Sequence, residues 1–180
     1  MNFKKTLLIT SIMATAFSGM ANAASADANG TIHFKGQFID STCMVEVNNA
    51  NKNEGTIQLG TWMSNSFDKV GEKTDAIPFL IGLSGCPATL NQAIVTFSGT
   101  ANSDNPELYN VDKATGVGIG LSSDNVGSTY YQPNSPAGSI DLSKGNKGEK
   151  EYFARYVTTA DAVTPGTANA DVTVTIKYTQ

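Results

Sequence analysis

The chain has 180 residues, 40% of them hydrophobic and 8% aromatic, and carries a formal net charge of −4. That length can bury a real core in a single domain. An acidic balance without a basic cluster excludes nucleic acid and anionic membrane surfaces as partners, and two cysteines with one histidine fall short of the roughly four ligands zinc takes.

The first residues read as a secretory leader. Lys4 and Lys5 form a basic start, Thr6 to Phe17 is mostly apolar, and Ala21-Asn22-Ala23 supplies the small residues of a cleavage site. A membrane anchor needs roughly 20 apolar residues, and this stretch is shorter and broken by Ser11, Thr15 and Ser18. No later segment is long and apolar enough to span a bilayer, so membrane insertion is not expected. Cleavage after Ala23 removes residues 1–23 of 180 and leaves 157; the leader takes two lysines and no acid with it, so the net charge falls from −4 to −6. Export also sets the redox compartment. Cys43 and Cys86 are an isolated pair, and in an oxidising environment that predicts a disulfide.

Beyond the leader, Ala24–Asn29 is small and polar. From Gly30 to Phe38 the parity is strict: Gly30, Ile32, Phe34, Gly36 and Phe38 share one face, and Thr31, His33, Lys35 and Gln37 the other. Successive side chains of a strand alternate faces, so this is a half-buried strand. Further strands are expected at Thr56–Gly60, Ala76–Leu83 (Ile77, Phe79, Ile81 and Leu83 inward), Ala93–Ser98, Gly116–Leu121, Lys150–Thr158 and Ala170–Thr179. Pro78 cannot donate to a ladder, which puts the start of its strand at a sheet edge. A short turn is expected near Trp62–Phe67. Asn48–Gly55, Asn102–Asn105 and Ser143–Gly148 read as loops, as does 122–136 except for a short strand at Tyr130-Tyr131. Many short strands and no long helical period predict an all-β sandwich.

The last strand mirrors the first, with Val172, Val174, Ile176 and Tyr178 on one face and Thr173, Thr175, Lys177 and Thr179 on the other. Two readings of these ends stand open. The terminal strands pair with each other in one sandwich, or the last strand lines a groove that another chain's first strand fills.

Several motifs resemble, in order, the major subunit of type 1 fimbriae and its relatives in the chaperone–usher class. They are Gly30 to Gly36, Cys43, Gln58-Leu59-Gly60, Ile81-Gly82-Leu83 leading into Cys86, Val95 to Gly99, Phe153-Ala154-Arg155-Tyr156, Pro165-Gly166, Ala168-Asn169-Ala170, and the closing strand with Tyr178. The family's tyrosine is usually penultimate, whereas Thr179 and Gln180 both follow Tyr178 here. The resemblance implies an immunoglobulin-like sandwich lacking its last strand, completed by a donor strand from a neighbour. It implies three segments: the leader 1–23, a donor extension 24–38, and a pilin domain 39–180. Gly30, Ile32, Phe34, Gly36 and Phe38 would be the donor face; Val172, Val174, Ile176 and Tyr178 would lie on the acceptor edge strand. The implied partners are identical or related pilin subunits, a periplasmic chaperone and an outer-membrane usher, and the implied place is a surface fimbria used in adhesion. A minor or adaptor pilin, or a self-contained secreted β-sandwich binding module, are the alternatives.

Enzymatic signals are weak. His33 is the only histidine and shares the polar face of its strand, so a triad has little to stand on. Asp104, Glu107 and Asp112 match no calcium-loop spacing. Gly116-Val117-Gly118-Ile119-Gly120 lacks the lysine of a phosphate cradle and reads as a strand. Trp62, Tyr130 and Tyr131 are candidates for an aromatic carbohydrate patch or for packing. No cofactor is expected.

Overall fold

The computed structural model describes residues 43–48 and 52–179, together with His33 and Lys35. The chain divides into two units, Met1–Phe38 and Ile39–Gln180. The leader 1–23 and the candidate donor residues Gly30, Ile32, Phe34, Gly36 and Phe38 lie outside the described residues. His33 and Lys35, the described part of the first unit, are both exposed.

The second unit is a sandwich of antiparallel strands: β1 (Met44–Val47), β2 (Ile77–Ser84), β3 (Gln92–Ser98), β4 (Val117–Ser122), β5 (Pro136–Asp141), β6 (Gly148–Thr158) and β7 (Thr173–Thr179). One sheet has the order β1-β2-β6-β4 and the other β5-β3-β7. No α-helix occurs among the described residues; the expected turn near Trp62–Phe67 is a single 3-10 turn, Ser64–Ser66.

Period-2 patterning explains the layers. In β2, Phe79, Ile81 and Leu83 are buried; in β3, Ala93, Val95 and Phe97 are. Phe79 stands opposite Tyr152 of β6 and stacks on it at 5.7 Å. Phe97 reaches across from the other sheet and meets the Tyr152 ring edge-on at 4.9 Å. Such aromatic pairs add about 0.5–1.5 kcal/mol beyond the area they bury, so this cluster joins the two layers at their centre.

A disulfide joins Cys43 to Cys86, with Cα atoms 4.3 Å apart. It closes the end of the β1–β2 ladder where Met44 faces Ser84. For a sequence separation of 43, chain-entropy arguments give about 4 kcal/mol of constraint on the unfolded state.

Two expected strands are corrected. Thr56–Gly60 forms no ladder, although Leu59 is buried and Ile57 packs on the core. Alternation there reports burial of one face, not the presence of a neighbouring strand. Tyr130-Tyr131 is not a strand either. A single bond from the Tyr131 amide to the Leu121 carbonyl holds it, and the Tyr131 ring packs edge-on against Tyr152. Conversely, β1 and β5 arise where no strand was expected. Pro78 resolves simply: β2 is an inner strand, but β1 pairs only with Ile81–Ser84, so the start of β2 has β6 on one side and no β1 residue on the other.

The glycines of residues 116–120 serve packing. A side chain at Gly120 would strike the Tyr130 ring, and Gly116 combines a φ of 75° with close approach of the Ala162 carbonyl oxygen.

Two predictions follow from this core. Phe97→Ala is expected to cost about 3–5 kcal/mol, as truncation of a buried aromatic does, and urea unfolding of the isolated subunit measures it. The second concerns alkali. The Tyr109 hydroxyl donates to the Phe97 carbonyl at 3.0 Å, and burial pushes its pKa from 10.0 up to about 12. Burial likewise raises Tyr152, whose hydroxyl has no partner among the described residues. The folded state therefore keeps protons that the unfolded chain releases. The stabilisation is complete below the ordinary tyrosine value and is lost as pH climbs towards the folded one. The urea midpoint should hold steady on approaching pH 10 and fall above it; a midpoint unchanged at pH 12 would contradict the assignment.

Candidate functional site at the free edge of the second sheet

Two open sheets have four edges, and an unpaired edge is a template for another strand unless it is blunted. Three are blunted here. β4 is covered by Tyr109, which exchanges backbone hydrogen bonds with Ile119 at 2.8 and 3.0 Å. β1 is four residues long and ends at Asn48, whose φ is 52°. β5 begins with Pro136, contains Gly138 at a φ of 89°, and shifts register against β3 between Ile94 and Thr96.

β7 has none of these devices. It contains neither glycine nor proline and pairs with β3 in unbroken register from Gln92↔Thr179 to Ser98↔Thr173. On its other side no strand is paired among the described residues.

The side chains along that edge are equally unfinished. Val174, Ile176 and Tyr178 stand opposite Phe97, Val95 and Ala93. Those partners are 2%, 0% and 0% exposed, whereas the β7 residues are only partly buried although they pack on the same core. Val172, one residue before β7, belongs to the same row and is also half-buried. The four candidate acceptor residues thus share one face of one edge strand. Tyr178 closes the row: burial raises its pKa, while a hydrogen bond with the backbone of Cys43 works the other way. The far end of β7 is thereby tied to the disulfide that starts β1.

At the near end lies a cleft of about 610 Å3. Trp62 and Phe67 line one side, and Pro165 to Asn169, the stretch leading into β7, line the other. Two contacts fix that stretch. The Tyr156 hydroxyl donates to the Ala168 carbonyl at 2.9 Å. Asp112 accepts from the Thr167 hydroxyl at 2.7 Å and the Asn169 amide at 2.9 Å. The Thr167 bond leads the causes that hold the Asp112 carboxyl below its usual range. Asp112 is therefore a loop clamp, and Asp104 accepts from the Thr159 hydroxyl; no group of three potential metal ligands occurs among the described residues. Nothing in the sequence around Asp112 signalled this role, because its partners lie more than fifty residues away.

Tyr130 and Tyr131 pack on Gly120 and Tyr152, as described, and Trp62 donates from its indole nitrogen to the Leu59 carbonyl at 2.8 Å. These three rings do not gather into one patch: Tyr131 leans on the core, while Trp62 sits on the loop beside the cleft.

The comparisons with known proteins agree with this geometry. The family described as Fimbrial protein matches residues 32–179. The fimbrial subunit type 1 of Salmonella typhimurium is 37% identical, over 95% of this chain and 97% of the relative. The probable major fimbrial subunit LpfA of Escherichia coli O157:H7 is 34% identical over 99% of both. Among solved structures, the P pilus rod subunit PapA superposes with a TM-score of 0.64, covering 77% of this chain and all of that one, at 15% identity. That likeness establishes the fold, an incomplete immunoglobulin-like sandwich. The chain belongs to the fimbrial protein family, as a structural subunit of a cell-surface fimbria and not as an enzyme.

Proposed function

We propose that this subunit polymerises by donor-strand exchange, the free edge of β7 accepting the N-terminal extension of the next copy. The row Val172, Val174, Ile176 and Tyr178, half-covered at an unblunted edge, carries this reading. The segment 24–38 has the matching pattern. Ile32, Phe34 and Phe38 would enter the groove, each contributing about 1.5–3 kcal/mol if fully buried. Gly36 would stand where the groove wall leaves no room for a side chain. Main-chain hydrogen bonds along β7 would set the register, as in other cases of strand addition.

Before assembly the same edge is an aggregation hazard. A periplasmic chaperone lending a strand would cover it after the leader 1–23 is removed. An outer-membrane usher would be where the incoming extension displaces that strand. Completing the sandwich supplies the free energy, so no cofactor is needed. The 34% identity to a probable major fimbrial subunit favours a shaft subunit over an adaptor.

The primary test is assembly of the mature chain with and without residues 24–38, read as SDS-resistant ladders before and after boiling. Ladders that require the segment and collapse on boiling are expected. A stable monomer in both cases would sink the proposal and favour a self-contained binding module. The acceptor side has its own test, Ile176→Asp. An unpaired buried carboxylate costs several kcal/mol, so this variant should fail to accept a strand while still donating one. Mixed into wild-type assembly, it should shorten ladders in proportion to its share; ladders of full length would remove Ile176 from the groove.

A further inference from the structure

Exposure alternates without a break from Thr167 to Tyr178: the odd-numbered residues are open to water and the even-numbered ones half-buried. Successive side chains of an extended chain point to opposite faces, so this is one extended edge. Its inner row is Ala168, Ala170, Val172, Val174, Ile176 and Tyr178, all packed on the core. β7 is only the part of that edge which β3 reaches, because the β3–β7 ladder stops at Ser98↔Thr173. Residues 168–172 continue the row with no ladder partner among the described residues.

Holding a residue in one backbone conformation costs entropy, so the stretch ahead of β7 needs another support. Asp112 supplies it by imitating a strand. In an antiparallel hydrogen-bonded pair, two residues exchange both main-chain bonds. Here the Asp112 amide donates to the Asn169 carbonyl at 3.0 Å. The Asn169 amide donates in return to the Asp112 carboxylate at 2.9 Å, where a strand would offer its carbonyl.

The grip is wider than this one pair. The same carboxylate accepts from the Thr167 hydroxyl at 2.7 Å and from the Asn169 side-chain amide at 3.4 Å. The amides of Lys113 and Ala114 both donate to the Thr167 carbonyl, at 3.1 and 2.9 Å. Gly166 lets the two backbones close up, since a Cβ there would stand 3.0 Å from the Ala114 nitrogen. Val111 and Ala114 are buried, so the support is anchored in the core. A carboxylate suits the post because it only accepts, and the groups that meet it are all donors. No cation pairs with Asp112 among the described residues, so its charge serves this stretch of chain.

We propose that the acceptor edge begins at Ala168, ahead of β7, and that Asp112 is the positioning residue that keeps residues 168–172 extended for the incoming strand. The proposal rests on the reading that a donor strand pairs along β7. An edge held extended before the encounter spares the incoming strand the cost of ordering it, so Asp112 acts on the rate of entry. Once a donor strand lies alongside, its own main-chain bonds hold the stretch and Asp112 becomes dispensable.

The test uses the full mature chain carrying Asp112→Ala. SDS-resistant ladders should grow about two- to tenfold more slowly than wild type, the range for one or two lost hydrogen bonds. The temperature at which finished ladders fall apart should not change. Equal growth rates would overturn the positioning role. A loss of heat resistance in step with the rate would overturn it too, because that marks general weakening of the fold. Thr167→Val removes one donor and keeps the shape; it is the milder variant and should slow growth by a smaller factor. Amide hydrogen exchange reads the same stretch without ladders. In the subunit, residues 168–172 should exchange faster in Asp112→Ala than in wild type, and in wild-type fimbriae they should gain protection together with β7. Unchanged exchange in the variant would remove Asp112 from the role, and no gain on assembly would end the acceptor edge at β7. Wild-type ladders that form without residues 24–38 would sink the donor-strand reading instead, while the exchange comparison would still decide on Asp112.

Discussion

Across the β3–β7 ladder, Phe97, Val95 and Ala93 are sealed from water, while their partners Val174, Ile176 and Tyr178 remain half-open. Residues paired in one ladder normally share one environment, and the difference falls on the side of β7 where no strand is paired among the described residues. The same strand has no glycine, proline or register shift to break its edge, and of the ordinary safeguards it carries only the exposed Lys177. A subunit cannot keep both deficits as a lone soluble species, because exposed core side chains and a straight unpaired edge each favour association. Both features fit the proposed strand joint, which requires no catalytic group.

An open edge has to be tolerated by the rest of the molecule. Three devices carry that load, each away from β7 or at its ends. The Phe79–Tyr152–Phe97 cluster binds the two sheets through their centres. The disulfide pins β1 to β2, and the hydrogen bond between the Cys43 backbone and Tyr178 reaches from there to the tail of β7. Asp112 fixes residues 167–169, the approach to β7, from the other end. β7 is thus held at both termini and along β3, with its outer edge positioned and unpaired among the described residues. Positioning matters because an incoming strand is bound more tightly by an edge that need not be ordered first.

Legibility in the sequence divides along physical lines. β2, β3, β6 and β7 were readable because each alternates strongly over seven or more residues, and the pattern came through with no boundary shifted by more than three. β1 was missed because four residues give too little alternation, and β5 because Pro136 and Gly138 disguise it as a turn. Thr56–Gly60 failed in a more instructive way. Its pattern is that of a strand, Leu59 is buried, and yet no ladder forms. Periodicity registers which side chains face a core, and it is blind to whether a backbone lies alongside. The candidate acceptor row was legible from alternation alone, whereas the openness of its edge was not, since blunting by Tyr109 on β4 or by a register shift on β5 depends on contacts between distant segments.

Arg155 shows the same limit from the other side. In the sequence it is one letter of a motif near the last strands, and a charged residue in a strand ordinarily reads as solvent-facing. In the fold it is buried, because Gly120 across the ladder leaves space that Tyr130 and the 123–129 loop fill. The guanidinium then has only main-chain carbonyls to satisfy it. Burying an apolar residue there would serve stability better, since a well-packed hydrophobic replacement commonly matches or exceeds a buried charge. A fixed loop tip, unlike a stable core, does need directional bonds, and a planar cation with several donors provides them to two carbonyls at once. The placement of that arginine thus ties the 123–129 loop to β6 through two carbonyls, while its Nε has no partner among the described residues.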